Sequence, residues 1–550
     1  MNIRIALFCF GCLCVSAVIA DKPNSIERPN IIVILVDDMG FSDMRYGSEI
    51  PTPNLDELAE NGVSFSQFYN TGRCCPTRAS LLTGLYSHQA GVGWMTEDQG
   101  QPGYAGRLSG NCVTIAEVLG QAGYFTAMTG KWHVGFDGGS TPWQRGFDRS
   151  LNLRAGGVHF SNQTGTKGNF KLFLNGQVVA KDDQRFAPPW YGSDLWTRQG
   201  IAFIDEAIAA EKPFFWYLAH TAPHFPCMAP AQTIAKYRGK YMSGWDKLRE
   251  ERYARQLQLG LIDESWQLPE RPDEIPAWDS LSLEEQTRYD EMMAVYAAMI
   301  EEIDTNVGKL IAALKSRQQF ENTLIFFMSD NGGNAESGVN GRSEGDHLGD
   351  PHSNVFIGQC WAHLNNTPFR KYKHYNHEGG IATPLIAHWP AVVQPRSSPN
   401  DWITTPTHLI DIMATCVDIG NATYPQTFNG NTVIPAEGQS LMPLLTGKDA
   451  FADRPIFWEH EGNAAIRIGD RKLVRLGNKG KWELYDLAKD RTEQHDLAAE
   501  NPDEVADLVK RWRTWAKRAQ VLPRPKAKRK QAGKNRGKSN TPSANPTPTQ

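Results

Sequence analysis

The sequence predicts an α/β protein: a large, mixed but mostly parallel central sheet sandwiched by helices, followed by a smaller antiparallel sheet with a closing helix. Three observations predict it. Ile31-Ile32-Val33-Ile34-Leu35-Val36 is an unbroken apolar run rich in β-branched residues, the pattern of a strand buried on both faces of a parallel sheet, and Thr323-Leu324-Ile325-Phe326-Phe327-Met328 repeats it. Helical stretches separate such runs, and strand alternating with helix is the signature of an α/β sheet. After about residue 450 the pattern changes to short alternating segments divided by turn residues.

Taken in chain order, the first strand stops abruptly at Asp37-Asp38-Met39-Gly40, and a helix is expected over 54–61. A helix follows Cys74-Cys75-Pro76, with Pro76 suited to its first position and Cys74 just outside its N-terminus. A helix over 114–122 precedes the strand Phe125-Thr126-Ala127-Met128, which leads into Thr129-Gly130-Lys131. A helix over 196–210 precedes Phe214-Phe215-Trp216-Tyr217-Leu218, which ends before His220. The long helix 284–316 feeds the strand at 323–328, which stops at Ser329-Asp330-Asn331-Gly332-Gly333, and Pro384-Leu385-Ile386-Ala387-His388 is the fifth strand. Short strands at 456–459, 465–468, 472–475 and 482–485 and a helix over 501–517 complete the fold, without internal repeats. In such a sheet the functional groups gather at the carboxyl ends of the strands.

Composition narrows the class. The chain has 550 residues, 40% apolar and 21% charged, which excludes a disordered or fibrous protein. Its net charge of −4 gives no field for a nucleic-acid partner. The eight cations Arg524, Lys526, Lys528, Arg529, Lys530, Lys534, Arg536 and Lys538 have no acid among them, so the body is more acidic than the total and the tail is basic. That tail reads as a solvated extension or as an anchor for polyanions. Residues 1–20 read as a secretory signal peptide, with Arg4 before an apolar run and Val18 and Ala20 before a cut, which predicts a secreted or periplasmic protein. No later segment is apolar enough to span a membrane. The expected organisation is a signal peptide at 1–20, a catalytic α/β unit at 21–450, an α+β subdomain at 451–521 and a disordered tail at 522–550. The six cysteines outside the signal, Cys74, Cys75, Cys112, Cys227, Cys360 and Cys416, are too few and too scattered for a disulfide framework.

Two adjacent carboxylates repel unless a cation neutralises them. Asp37-Asp38 and Asp330-Asn331, each at a strand end, therefore make a hard-cation site, although each pair taken alone could equally cap a turn. Cys74 stands at a helix N-terminus, whose free N–H groups and partial positive charge favour an anion.

Cys74-x-Pro76-x-Arg78, followed by Leu82-Thr83-Gly84, resembles the signature of the type I sulfatases. Gly130-Lys131-Trp132-His133, Ala222-Pro223-His224-Phe225-Pro226, the stretch from Asn366 to Lys373 and His377-Glu378-Gly379-Gly380 match further segments of that family in its order, over most of residues 28–520. Pro368-Phe369-Arg370 and residues 241–260 look most like bacterial arylsulfatases. The resemblance implies an alkaline-phosphatase-like fold and a sulfuric ester hydrolase. It implies oxidation of Cys74 to formylglycine (3-oxoalanine) by a formylglycine-generating enzyme. The implied metal ligands are Asp37, Asp38, Asp330, Asn331 and the modified Cys74, around calcium with magnesium as the alternative. By the same resemblance Arg78, Lys131 and Lys373 neutralise the sulfate, the formylglycine hydrate attacks sulfur to give a sulfated enzyme, His224 with Lys373 protonates the leaving oxygen, and His133 takes the proton that releases sulfate.

The implied substrates are aryl sulfates in vitro and a sulfated carbohydrate in nature. Walls for it are expected from 151–194 and 334–365, with Trp143, Trp190 and His347 to stack on or bond to a sugar, and with His220, His374 and His377 as further substrate contacts. The competing readings are a phosphate or phosphonate ester hydrolase of the same superfamily and a non-catalytic binder of sulfated polymers.

Overall fold

The computed structural model describes residues 28–525 apart from 165–169, 181, 395–400, 449–450 and 452. The signal peptide and residues 526–550 of the basic tail lie outside the described residues.

The central sheet has ten strands: β1 (Asn30–Val36), β2 (Val63–Tyr69), β3 (Phe125–Lys131), β4 (Arg149–Leu153), β5 (Leu172–Leu174), β6 (Gln177–Val178), β7 (Phe214–Ala219), β8 (Thr323–Ser329), β9 (Ala382–His388) and β10 (Thr407–His408). Their spatial order is β10-β2-β9-β8-β1-β7-β3-β4-β5-β6. β8, β1, β7, β3 and β4 run parallel, while β9 runs antiparallel to both β8 and β2. The sheet is therefore mixed, and the segment before β9 enters at the edge where β1, β3, β7 and β8 end.

Strand side chains alternate between faces, and the core divides accordingly. Ile32, Ile34 and Val36 join one apolar cluster with α1 (Pro53–Glu60) and other helices on that face. Ile31, Val33 and Leu35 join a second cluster on the opposite face, which takes in α2 (Cys74–Thr83) and α3 (Ile115–Gln121). The first face also packs α4 (Gly192–Ala209) and α5 (Leu283–Ser316). Burying each Val, Leu or Ile contributes roughly 1.5–3 kcal/mol, so a strand covered on both faces is the strongest apolar contributor per residue. Ser282 and Thr114 cap α5 and α3 through reciprocal bonds with Glu285 and Glu117, which satisfies N–H groups that the first helical turn leaves free.

The C-terminal sheet is a four-stranded antiparallel meander, β11 (Ile456–His460), β12 (Asn463–Ile468), β13 (Arg471–Arg475) and β14 (Trp482–Asp486), packed by α6 (Pro502–Arg518). Its core side chains divide between the two clusters: Ala464, Ile466, Leu473 and Leu484 join the one that takes in α2, and Ile456, Trp458, Ala465, Val474 and Tyr485 join the other.

Three expectations change. α2 begins at Cys74 itself, with Pro76 inside its first turn; proline is tolerated there because the first-turn N–H groups have no helical partner. The stretch 151–194 is not a continuous loop: it holds β5 and β6 and the start of α4. Within 334–365 lie a two-stranded ribbon, Arg342–Glu344 with Asn354–Phe356, and the helix Gly358–Asn365. Among the described residues no helix is long and apolar enough to cross a membrane, and Cys74, Cys75, Cys112, Cys227, Cys360 and Cys416 are buried free thiols.

Candidate active site

β1 and β8 pair in register with Val36 opposite Ser329, so Asp37 and Asp330 leave the sheet side by side. Asp38 turns the chain with φ +72°, and its N–H donates to Asp330 Oδ1 at 3.2 Å. Two consecutive acids on one strand would point to opposite faces, and this turn is what lets both serve one site. Asn331 Nδ2 and Asn334 Nδ2 donate to Asp38 Oδ1 and Oδ2 at 2.7 and 2.6 Å.

Cations close the ring. Arg78 Nη2 donates to Asp330 Oδ2 at 2.8 Å and lies 3.3 Å from Asp37 Oδ2, while Nη1 donates to Lys131 O. Lys131 Nζ donates to Asp37 Oδ2 at 2.5 Å, and Lys373 Nζ lies 2.8 Å from Asp38 Oδ1 and 3.2 Å from Glu336 Oε2. Lys131 is placed by Gly130, whose φ is +104° and whose Cβ, were there one, would sit 1.8 Å from Ala219 O on β7. Only glycine lets β3 run that close to its neighbour and still deliver the lysine.

Cys74 opens α2 after β2 has carried the chain to the same edge of the sheet, and Gly84, at φ +68°, ends that helix. Its Sγ lies 3.6 Å from His133 Nδ1. A hydrogen bond from Cys75, with Lys131 and His133, brings the Cys74 thiol well below its ordinary range despite burial. Burial together with the Cys74 charge pushes Cys75 up instead. His224 sits after β7, its Nδ1 donating to Phe225 O at 2.5 Å and its Nε2 3.6 Å from Asp38 Oδ2. Burial lowers the pKa of His133 and of His224. Burial opposes ionisation of Asp37, but Lys131, His224 and Arg78 outweigh it. Asp330 is pushed well above the carboxylate range by burial and by the charge of Asp37.

Asp37 Oδ1 and Asn331 Oδ1 are buried and accept no hydrogen bond. Orphaned oxygens beside three converging acids are the donor set a hard divalent cation takes. Asp37, Asp38, Asp330 and Asn331 therefore fit a metal, and the carboxylates of Asp37 and Asp38 also approach His224 closely enough for shared coordination.

The other expected residues are dispersed. His220 is fully buried with both ring nitrogens unpartnered, and burial holds its pKa at about 4; it belongs to the packing under the site. Trp143 packs on Phe136 and Phe173, and Trp190 on Phe170 and Trp196 within the core. His347 lines a separate groove with Arg238 and Arg288. His377 turns toward Glu483 of the C-terminal sheet. His374 alone of these joins the rim, contacting Glu336 at 3.2 Å and Glu461 at 2.8 Å. The position of each side chain in the packed fold, not its residue type, removes the aromatics and His220 from the cleft.

Sequence reasoning missed Asn334, Glu336, Arg73 and Glu461. The first two follow the Asp330-Asn331 pair by a few residues, and Arg73 precedes Cys74, so proximity in sequence was a usable signal for them. Nothing in sequence links Glu461 to the site.

A family model described as Sulfatase matches residues 29–422, and one described as N-sulphoglucosamine sulphohydrolase, C-terminal, matches 369–518. An uncharacterized sulfatase of Schizosaccharomyces pombe is 34% identical over 543 residues, covering 92% of this chain and 96% of that protein. The arylsulfatase of Klebsiella aerogenes is 35% identical over 439 residues, 77% and 93% of the two chains. Among solved structures, Ps i-CgsB in complex with k-i-k-neocarrahexaose superposes with a TM-score of 0.66 at 26% identity, over 90% of this chain and 98% of that one.

Proposed function

The chain belongs to the sulfatase family and is a sulfuric ester hydrolase, and on that premise we propose that it uses Cys74, oxidised to formylglycine by a formylglycine-generating enzyme, with a calcium ion held by Asp37, Asp38, Asp330 and Asn331. Residues 1–20 support export to the periplasm or the exterior. The converted Cys74 would supply an oxygen nucleophile, and the bound ion positive charge against the sulfate.

The chain's own side chains do the rest. Arg78, Lys131 and Lys373 face the position of a sulfate beside Cys74, and as fixed cations in a buried site they stabilise its charge without reorganising. His224, held by its Nδ1 bond to Phe225 O, offers Nε2 to the leaving oxygen, and its lowered pKa makes it a readier donor once protonated. His133, kept neutral by burial 3.6 Å from Cys74 Sγ, takes the proton that lets sulfate depart.

The observation that carries this reading is that Arg78, one helical turn after Cys74, bridges Asp330 and Asp37, tying the nucleophile's helix to the acids at two strand ends. The natural substrate under this proposal is a sulfated carbohydrate, supported by the relative solved with a carrahexaose. Wild type and Cys74→Ala should be made in a host with a formylglycine-generating enzyme. The expected result is a peptide about 18 Da lighter at Cys74 and sulfate release from an aryl ester by wild type alone. An unmodified thiol, or equal rates in the two proteins, would overturn it.

A further inference from the structure

A cleft of about 500 Å³ opens beside Lys373 and is walled by Glu336, His374, Glu461, Asn463 and Leu476. Its far wall comes from the C-terminal sheet. Glu461 and Gly462 form the two-residue turn between β11 and β12, at φ +53° and +96°, and such a tight turn holds the Glu461 carboxylate in place. That carboxylate reaches 3.4 Å from Arg73 Nη1 and 2.8 Å from His374 Nδ1. Arg73, directly before Cys74, also lies 3.3 Å from Glu336. The cleft thus reaches from Lys373, which contacts Asp38, to Glu461.

Its chemistry is specific. Around it the carboxylates Glu274, Glu336 and Glu461 are matched in number by the cations Arg73, Lys371 and Lys373, so no net negative field draws a cationic alcohol. The Glu461 side chain remains 29% exposed, and a carboxylate has about four acceptor sites, so it can take a hydroxyl hydrogen beyond Arg73, His374 and His460, the last 3.6 Å from Oε1. Leu476, 44% exposed, adds an apolar wall of the kind the C–H face of a pyranose covers.

Resting on the sulfatase reading, we propose that this cleft receives the leaving alcohol and that Glu461 is a specificity-determining residue for a neutral, hydroxyl-bearing sugar over an aryl or cationic alcohol. Glu336 is unsuited to the test because it contacts Lys373, whereas Glu461 touches none of the residues assigned to the chemistry.

The experiment compares wild type and Glu461→Gln on the 6-sulfates of galactose, glucose and N-acetylglucosamine, on 4-nitrophenyl sulfate and on choline sulfate. The proposal expects KM for at least one hexose 6-sulfate to rise about tenfold with kcat little changed, the loss of one hydrogen bond to a charged group, while the aryl ester stays within about twofold. Choline sulfate should be the poorest substrate of wild type. Parallel losses on both ester types would reduce Glu461 to a support for Arg73 and overturn the assignment, as would no loss or a preference for choline sulfate. Wild type that cleaves the aryl ester but no hexose sulfate would overturn the assignment and leave the sulfatase reading standing. Wild type that cleaves nothing would overturn both.

Discussion

Lys131 Nζ lies 2.5 Å from Asp37 Oδ2, and neither side chain is exposed. One oxygen of Asp37 is thus neutralised by protein while the other, Oδ1, has no partner. A buried acceptor left unmade costs about 1–3 kcal/mol, so an ion that takes it stabilises the fold as well as the site.

Calcium should therefore raise the melting temperature of metal-stripped protein, by about 2.7 kcal/mol of linkage when the free ion is at roughly a hundred times its Kd. In Asp37→Asn and Asp330→Asn the quantity to read is the increment on adding calcium, which should shrink in both. Increments equal to that of wild type, by scanning calorimetry, would place the ion elsewhere.

His224 Nε2 lies 3.6 Å from Asp38 Oδ2. If it delivers the leaving-group proton, His224→Ala should matter most where the alcohol is a poor leaving group. Steady-state kinetics on a series of aryl and alkyl sulfates should show losses of about 10²–10⁴-fold for alkyl esters and much smaller ones for nitrophenyl esters. A uniform loss across the series would assign His224 to binding instead.

Glu378 fixes the C-terminal sheet to the central one. Its carboxylate accepts from Lys472 at 2.7 Å, Arg491 at 2.9 Å and Tyr69 Oη at 2.8 Å, all buried. Burial raises its pKa, but Lys472, Arg491 and Arg467 outweigh it and bring the group down to about 2. Because the folded value is depressed below the ordinary carboxylate value of 4.5, the contribution is complete above the unfolded pKa and is lost as pH falls from about 4.5 toward 2. Urea unfolding should show wild type weakening across that window. Glu378→Ala, which strands the buried Arg491 and leaves Lys472 with Glu493 alone, should cost about 3–5 kcal/mol at pH 7 and flatten the acid limb. An unchanged acid limb would assign the acid sensitivity to other carboxylates.

Strands β1 and β8 and the acids behind them were legible because burial on both faces of a parallel sheet demands unbroken apolar runs, and the polar break marks the functional edge. β2 was not recognised. Ser64, Ser66 and Gln67 break up its apolar positions, and its place in the sheet comes from pairing with β9, more than 300 residues away. β5 and β6 are too short to show a period. Cys74, Arg78, Lys131, His133, His224 and Lys373 were named by their motifs, and the fold brings them to one edge.

What the sequence determined alone was local: that β1, β3, β7, β8 and β9 become strands, that β1 and β8 stop at acids, and that a helix follows Cys74-Cys75-Pro76. These depend on neighbours along the chain, through periodicity and backbone freedom. Tertiary structure alone decided which charges meet. Arg78 spans Asp330 and Asp37, Lys373 reaches Asp38 from the segment that leads into β9, and Glu461 reaches Arg73, next to Cys74, from a turn of another sheet. Such contacts follow from strand order and register, which buried area and hydrogen-bond pairing across hundreds of residues settle and no local pattern encodes.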